Sequence, residues 1–291
     1  MELNQNLISP LDPQSKRQLL IEALSFIQGF SNKIVVIKYG GAAMVQEEYK
    51  ESFAKDVILL QSLGLKPVIV HGGGPEISRV AESHGIVPKF IDGLRVTDLQ
   101  SLKVSEMVLS GAVNKEIVGS LLGAGGQAVG LSGKDGRLIE AVKMQHAEHD
   151  YGYVGEIEKI NPDLIHTLIE RDYIPVISPI GIGKDHKTYN INADTSASYV
   201  AAALGAQKVI FLTDVKGVLN DGKLVTSLTT AETLELIKTG VISGGMTPKV
   251  EAMIHAINHG VESAHIIGGM DHHALIAELF TQKGTGTMIT R

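Results

Sequence analysis

One pattern constrains this 291-residue chain more than any other: a short β-branched run, a glycine-rich segment, then a helical spacing, repeated along its length. Ile34-Val35-Val36-Ile37 leads into Lys38-Tyr39-Gly40-Gly41 and a helical pattern of Phe53, Val57 and Leu60 ending near Gly64. Pro67-Val68-Ile69-Val70 leads into His71-Gly72-Gly73-Gly74 and a helix from Pro75 to about His84. Similar runs stand at 128–131, 174–177, 209–212 and 264–267. A strand that is apolar without alternation has both faces buried, as in a parallel sheet covered by helices. The expected fold class is α/β, a three-layer αβα sandwich around an open, mainly parallel central sheet.

Ahead of the first strand, Asp12 and Pro13 read as a helix start. Leu20, Ala23, Leu24 and Ile27 share one face, and Gly29 offers a stop. That apolar face needs a partner in this chain or another. Residues 134–155 are polar and glycine-punctuated, which suggests β-hairpins. A glycine- and charge-rich bridge over 181–187 is the expected boundary. The division is then an N-terminal helix over 1–30, an N-terminal lobe over 31–185 and a C-terminal lobe over 186–291.

Composition narrows the function. Lys+Arg total 26 against 32 Asp+Glu, a net charge of −6, which argues against nonspecific nucleic-acid binding. At 44% hydrophobic the chain is not of the disordered class. Without cysteine there is no disulfide framework and no thiolate chemistry. No run approaches the roughly 18 apolar residues of a membrane helix, and the opening residues lack the pattern of a signal peptide. A protein with neither nucleic acid nor membrane as partner is expected.

Ligands of open parallel sheets bind at the carboxyl ends of the strands. Lys38 beside Gly40 and Gly41 suits an oxyanion or phosphate there, and equally a plain turn with a surface lysine. Three consecutive glycines, Gly72 to Gly74, carry an entropic cost that a simple connector has no reason to incur, so close approach of a ligand is favoured. His71 reads as structural rather than catalytic. Gly244-Gly245-Met246-Thr247-Pro248-Lys249 puts a cation at the start of a helix over 250–259, which opposes the helix dipole unless an anion sits between them. In Asn190-Ile191-Asn192-Ala193-Asp194, an extended chain would project three polar groups the same way; alternatively Asp194 caps the helix that follows. The loop over 212–219, with Thr213, Asp214, Gly217 and Leu219, suits a nucleotide or nothing. Asp271-His272-His273 could hold a metal but reads better as an exposed turn, and no metal site is expected.

Several chemistries lose ground. Gly-Lys occurs at 133, 183 and 222, never followed by Ser or Thr, so there is no P-loop. Gly123-Ala124-Gly125-Gly126-Gln127-Ala128 is only a loose dinucleotide fingerprint, and it precedes a strand. Nucleophile-elbow and zinc-protease motifs are absent as well. What remains is two lysines at glycine-rich element ends and one aspartate. That set fits phosphoryl transfer, in which the protein chiefly positions groups and neutralises developing charge.

Five segments together resemble the amino acid kinase family: Ile37-Lys38-Tyr39-Gly40-Gly41, His71-Gly72-Gly73-Gly74-Pro75, Gly93-Leu94-Arg95-Val96-Thr97, Asn190 to Asp194, and Gly244 to Lys249. They follow the family's order from about residue 30 to the end. Arg95 in its motif is similar to the branch acting on N-acetyl-L-glutamate, rather than on carbamate, aspartate or UMP. The resemblance implies the amino acid kinase fold and a reaction in which ATP, with Mg²⁺ carried by the nucleotide, phosphorylates the γ-carboxylate of N-acetyl-L-glutamate. It implies that Lys38 and Lys249 stabilise the transferring phosphoryl group and that Asp194 holds both. Gly40, Gly41, Gly73 and Gly74 would donate backbone hydrogen bonds. Arg95 and Asn190, with Asn192, would grip the substrate. Thr213, Asp214, Gly217, Leu219, Gly244, Gly245 and Met246 would border the nucleotide.

The extra N-terminal helix is similar to that of arginine-inhibited hexameric members, and Lys208, His265, Glu278 and Gly284 resemble their arginine-site positions. Some of those members carry Tyr where Phe26 stands. The resemblance thus implies a homohexamer, a trimer of dimers, with arginine as inhibitor. A PII-type signalling protein is a further candidate partner, known for similar enzymes of photosynthetic lineages. The expected compartment is the cytoplasm, or the plastid stroma for an organelle-encoded copy. The rival readings are another acyl-phosphate-forming kinase of the family and a catalytically inactive arginine- or nucleotide-sensing module of the same fold.

Overall fold

The structure is a computed structural model that describes residues 12–281 and 284–291. It opens with α1 (Pro13–Phe30), capped by Asp12, whose carboxylate accepts from the amides of Gln14 and Ser15. The helix passes Gly29 and ends at Phe30, which is buried edge-on against Phe280. Packing, rather than the glycine, sets that end.

Two strand–loop–helix units follow: β1 (Ile34–Tyr39) with α2 (Glu47–Ser62), and β2 (Lys66–His71) with α3 (Gly74–Ser83). The hairpin β3 (Lys89–Ile91) and β4 (Leu94–Val96) precedes a continuous helical rod. That rod consists of α4 (Leu99–Glu106), a π-helical stretch over Met107–Val113 and α5 (Asn114–Gly123). Next come β5 (Ala128–Ser132), β6 (Ile139–Lys143), β7 (Gly155–Ile160), α6 (Asp163–Glu170) and β8 (Ile174–Ser178). The chain continues through β9 (Ile180–Ile182), β10 (Thr188–Asn190), α7 (Ala193–Ala203) and β11 (Lys208–Thr213). It ends with β12 (Leu219–Asn220), β13 (Lys223–Leu224), β14 (Ser227–Thr229), α8 (Thr230–Lys238), α9 (Thr247–Asn258), β15 (Ser263–Gly268), α10 (Ala274–Phe280) and β16 (Thr287–Thr290).

All six apolar runs are strands of one eight-stranded sheet, ordered β14-β16-β15-β11-β1-β2-β8-β5. Every neighbouring pair is parallel except β15 with β16. Alternate residues feed two cores. Val36, Val68 and Val70 face α7 and α9, while Val35, Ile37 and Ile69 face α2, α5 and α10. This is the expected three-layer αβα sandwich.

Two local expectations change. The polar middle forms one hairpin, β6 with β7, joined by a long loop, and it belongs to a second sheet ordered β10-β9-β6-β7. The bridge over 181–187 is the end and turn of the β9–β10 hairpin, because Thr188 to Asn190 pair back onto Ile180 to Ile182. The large sheet runs through both expected lobes, since β11 pairs with β1.

Candidate active site

From β1 the chain steps to β2 on one side and later to β11 on the other. Crevices at the carboxyl ends of parallel strands open where the strand order turns in this way. Lys38, His71 and Thr213 lie at those ends, with Tyr39 opposite His71 and Lys38 opposite Phe211.

Three charged side chains meet there. Lys249 Nζ donates to Asp194 Oδ2 at 2.8 Å, and Lys38 Nζ lies 3.1 Å from Oδ1, a charge contact rather than an aligned hydrogen bond. Lys38 and Asp194 are buried, and Lys249 is half-buried. Burial pushes the Asp194 carboxyl up, but the ammonium groups of Lys38 and Lys249 outweigh it and hold the pKa below the usual range. Lys249 occupies the first turn of α9, the wrong end of a dipole for a cation; Asp194 in the first turn of α7 offsets it.

The aspartate does not cap its helix. Asn192 does, with Oδ1 accepting from the amides of Asp194 at 2.8 Å and Thr195 at 3.0 Å. The three polar groups of that motif therefore do not project alike: Asn190 ends β10 and donates to Thr97 Oγ1, Asn192 caps, and Asp194 turns to the lysines. Once Asn192 starts the helix, the alternation of an extended chain is lost.

Two cavities adjoin this cluster, and a third lies by the loop that follows β11. One, about 440 Å³, is lined by Lys38, Gly40, Gly41 and Gly72 to Gly74. A neighbour of about 190 Å³ shares those three glycines and adds Arg95, Asn190 and Asn192. A third, about 540 Å³ and largely apolar, includes Gly217, Leu219 and Met246. Glycine is required at 41, where φ is +75° and a Cβ would run into the Asp214 carboxylate. Asp214 thereby links the β11 loop to the first glycine segment, just past buried Thr213. Gly244 to Met246 form one 3₁₀ turn ahead of α9, with Gly245 exposed within it. Arg95 donates from Nη2 to Gly74 O at 2.9 Å and Ser78 Oγ at 2.8 Å, and stacks 4.7 Å above Phe90. Burial pushes its pKa below the ordinary guanidinium value.

A second cluster lies at the far end of β11. Lys208 Nζ is 3.1 Å from His265 Nε2, and His265 Nδ1 is 2.6 Å from Glu278 Oε1. Glu278 Oε2 accepts from the amides of Thr285 and Gly286, and Gly284, at φ +58°, has room for no Cβ beside that carboxylate. Phe26 lies within α1, but its side chain is outside the described residues. The Asp271-His272-His273 turn splits three ways: Asp271 to Lys216, His272 against the Tyr49 ring, and His273 Nδ1 to Asp56 at 2.6 Å. Among the described residues no group of three His, Cys, Asp or Glu could hold a metal ion.

Sequence reasoning missed the rim of the first cavity. Lys50 pairs with Glu47 and Glu116, and Arg79 with Glu76. The Lys50–Glu116 pair joins α2 to α5, which no local spacing announces. It also missed the partner of His71. That ring is fully buried; Nδ1 is 2.8 Å from Gly72 O and Nε2 is 3.1 Å from Asn114 Nδ2. Burial, with a smaller push from Lys115, lowers its pKa to about 4. A lone Asn after the small and apolar residues of 111–113 was the available signal.

Residues 33–268 match the model of the amino acid kinase family. The chain belongs to the amino acid kinase family. It is 50% identical to the acetylglutamate kinase of Syntrophus aciditrophicus over 286 residues, covering 94% of this chain and 97% of the relative. It is also 50% identical to that of Methanococcus aeolicus, covering 97% and 100%. Among solved structures, smu.665 from Streptococcus mutans is 34% identical with a TM-score of 0.75, covering 88% of this chain and 98% of that one. N-acetylglutamate synthase from Neisseria gonorrhoeae, complexed with coenzyme A and N-acetyl-glutamate, is 26% identical with a TM-score of 0.85. That match covers 94% of this chain and 63% of the synthase. The family membership and the named relatives make this chain an enzyme of the kinase class. No described helix is long and apolar enough to cross a membrane.

Proposed function

We propose that this kinase transfers the γ-phosphoryl of ATP to the γ-carboxylate of N-acetyl-L-glutamate, giving N-acetylglutamyl 5-phosphate. The observation that carries the reading is the convergence of Lys38 and Lys249 on Asp194 beside cavities lined by glycine. A carboxylate nucleophile is ionised at neutral pH, so no general base is needed. The obstacle is an anion meeting a polyanion. Two ammonium groups and the N-termini of α3 and α9 oppose that repulsion.

In this reading Lys38 and Lys249 neutralise the transferring phosphoryl group and Asp194 orients both. Amides of Gly40, Gly41, Gly73 and Gly74 donate to the phosphoryl group and the accepting carboxylate. Arg95, in the N-terminal lobe over 31–185, and Asn190, just past that lobe, hold the α-carboxylate end, with Asn192 also on the substrate. Thr213, Asp214, Gly217, Leu219 and Gly244 to Met246 border the nucleotide in the lobe over 186–291. Both Asp194 oxygens face ammonium groups, so Mg²⁺ is read as travelling with the ATP phosphates, whose charge it screens. ADP release with ATP, Mg²⁺ and N-acetyl-L-glutamate tests the assignment. Turnover several-fold greater than with unacetylated glutamate is expected, and equal or absent turnover overturns it.

The finer reading includes feedback inhibition by arginine and a cytoplasmic place in arginine biosynthesis. Lys208, His265, Glu278 and Gly284 are adjacent in space, and Glu278 is a fitting partner for a guanidinium. Exposed Leu20, Ile21 and Leu24 on α1 support assembly through that helix into a hexamer. A flat response of activity to added arginine removes the regulatory reading, and a monomer in sedimentation removes the assembly.

A further inference from the structure

We infer that His71 and Asn114 are positioning residues that aim the Gly73 amide into the cavity holding Lys38. The inference rests on the phosphoryl-transfer reading above and deepens it. Both side chains are fully buried, and neither lines the cavities beside Lys38.

The hydrogen bonds settle which atoms carry protons. A carbonyl only accepts, so His71 Nδ1, 2.8 Å from Gly72 O, is the protonated nitrogen. An amide nitrogen only donates, so Nε2 accepts from Asn114 Nδ2 at 3.1 Å. The orientation of the Asn114 amide is itself fixed. Its Nδ2 also donates to Val176 O at 2.9 Å, and its Oδ1 accepts from Lys115 Nζ at 3.0 Å. The ring is thus one neutral tautomer in one pose.

That pose has a consequence one bond further on. His71 draws the Gly72 carbonyl toward the buried side. The Gly72–Gly73 peptide is trans, and in a trans peptide the N–H points opposite to the C=O. The Gly73 N–H therefore points away from the core, to the side where Gly73 lines the two cavities. The π-helical stretch backs the arrangement. It ends just before Asn114, is tied to β8 by Ser110 Oγ and Ser178 Oγ at 2.8 Å, and presses Leu109 so close that a Cβ on Gly73 would stand 2.8 Å from it. A donor aimed beforehand at developing charge is the form in which a backbone amide is most useful to a transition state.

Two nearly isosteric replacements separate aiming from packing. In His71→Asn the amide nitrogen falls where Nδ1 stands and keeps a donor for Gly72 O. In His71→Gln it falls nearer the position of Nε2 and leaves that carbonyl without its donor. Steady-state ADP release by the full chain with ATP, Mg²⁺ and N-acetyl-L-glutamate reads the difference. His71→Asn is expected within about threefold of wild type in kcat and KM. His71→Gln is expected to lose about tenfold or more in kcat, with both KM values within about threefold. Equal kcat in the two variants, or a loss confined to KM or to melting temperature, overturns the inference. Crystal structures of the two variants without ligand give a readout independent of turnover: the Gly72–Gly73 peptide stays in place with Asn and rotates with Gln. The same peptide plane in both overturns the inference. Should wild type release no ADP with N-acetyl-L-glutamate, the functional reading fails, and the peptide planes still decide this one.

Discussion

Asp194 and Glu278 are both buried carboxylates set among basic side chains, yet they are held differently. Asp194 is held by two ammonium groups on flexible stems, one of which, Lys38, lines a cavity. Glu278 is held largely by fixed donors: the amides of Thr285 and Gly286 and the His265 ring. Burial raises both pKa values; the charges of Lys38 and Lys249 outweigh it at Asp194, and the hydrogen bonds from His265 and the Thr285 amide outweigh it at Glu278, so the net shift is downward in each. The difference lies in what can leave. A lysine can swing from Asp194 to an incoming phosphate at little backbone cost, whereas Glu278 cannot be released without moving the segment that follows α10. The first arrangement suits turnover and the second suits a latch.

Substitutions can break or sharpen that contrast. The largest effect is expected from Lys249→Ala, which should lower kcat at least about hundredfold, about 3 kcal/mol of barrier, with little change in KM; stopped assays across both substrate concentrations check the split. The histidines provide the next. His71 has its pKa depressed to about 4, so between about 6.5 and 4 the unfolded chain binds a proton that the folded chain does not. Stability should therefore fall as pH drops through that window, by up to about 3 kcal/mol, and be full above it. Urea midpoints at both ends of the window should show this slope in wild type and a shallower one in His71→Asn.

Glu278→Gln should destabilise by about 2 kcal/mol, since the amides of Thr285 and Gly286 lose a charged acceptor, while kcat without arginine changes little. Denaturation with parallel kinetics tests it, and a kcat collapse as large as that of Lys249→Ala would erase the contrast. Smallest is Arg95→Lys, expected to raise KM for N-acetyl-L-glutamate about tenfold by losing the planar fork, with kcat nearly unchanged.

Much of this was legible in the chain. The six apolar runs read as parallel strands because burial on both faces suppresses alternation, and all six are in the central sheet. The segment Gly72 to Gly74 was legible because three glycines in a row carry an entropic cost that a simple connector does not need. The segment 181–187, expected as a boundary, is the end and turn of a hairpin, since glycine and charge serve a turn as well as a linker. The motif by itself leaves Asp194 as one of three groups projecting alike or as a cap, and only the resemblance implies that it holds both lysines; Asn192, two residues earlier, caps instead. The π-helical stretch left no mark in hydrophobic spacing, because one extra residue per turn hardly alters the pattern of a segment only seven residues long.

The sequence alone determined the layers, the direction of the strands and the end of the sheet at which glycine and lysine gather. These follow from the periodicity of single segments, which reports how each is buried. Tertiary structure alone decided that Lys38 and Lys249 approach Asp194 from β1 and α9 at 3.1 and 2.8 Å, a sharing that only the family resemblance had implied, that Lys50 reaches Glu116, and that Asn114 sets the tautomer of His71. Each of those contacts joins elements far apart in the chain. Its distance depends on how a helix is rotated and shifted against a strand, which packing sets and local pattern does not record.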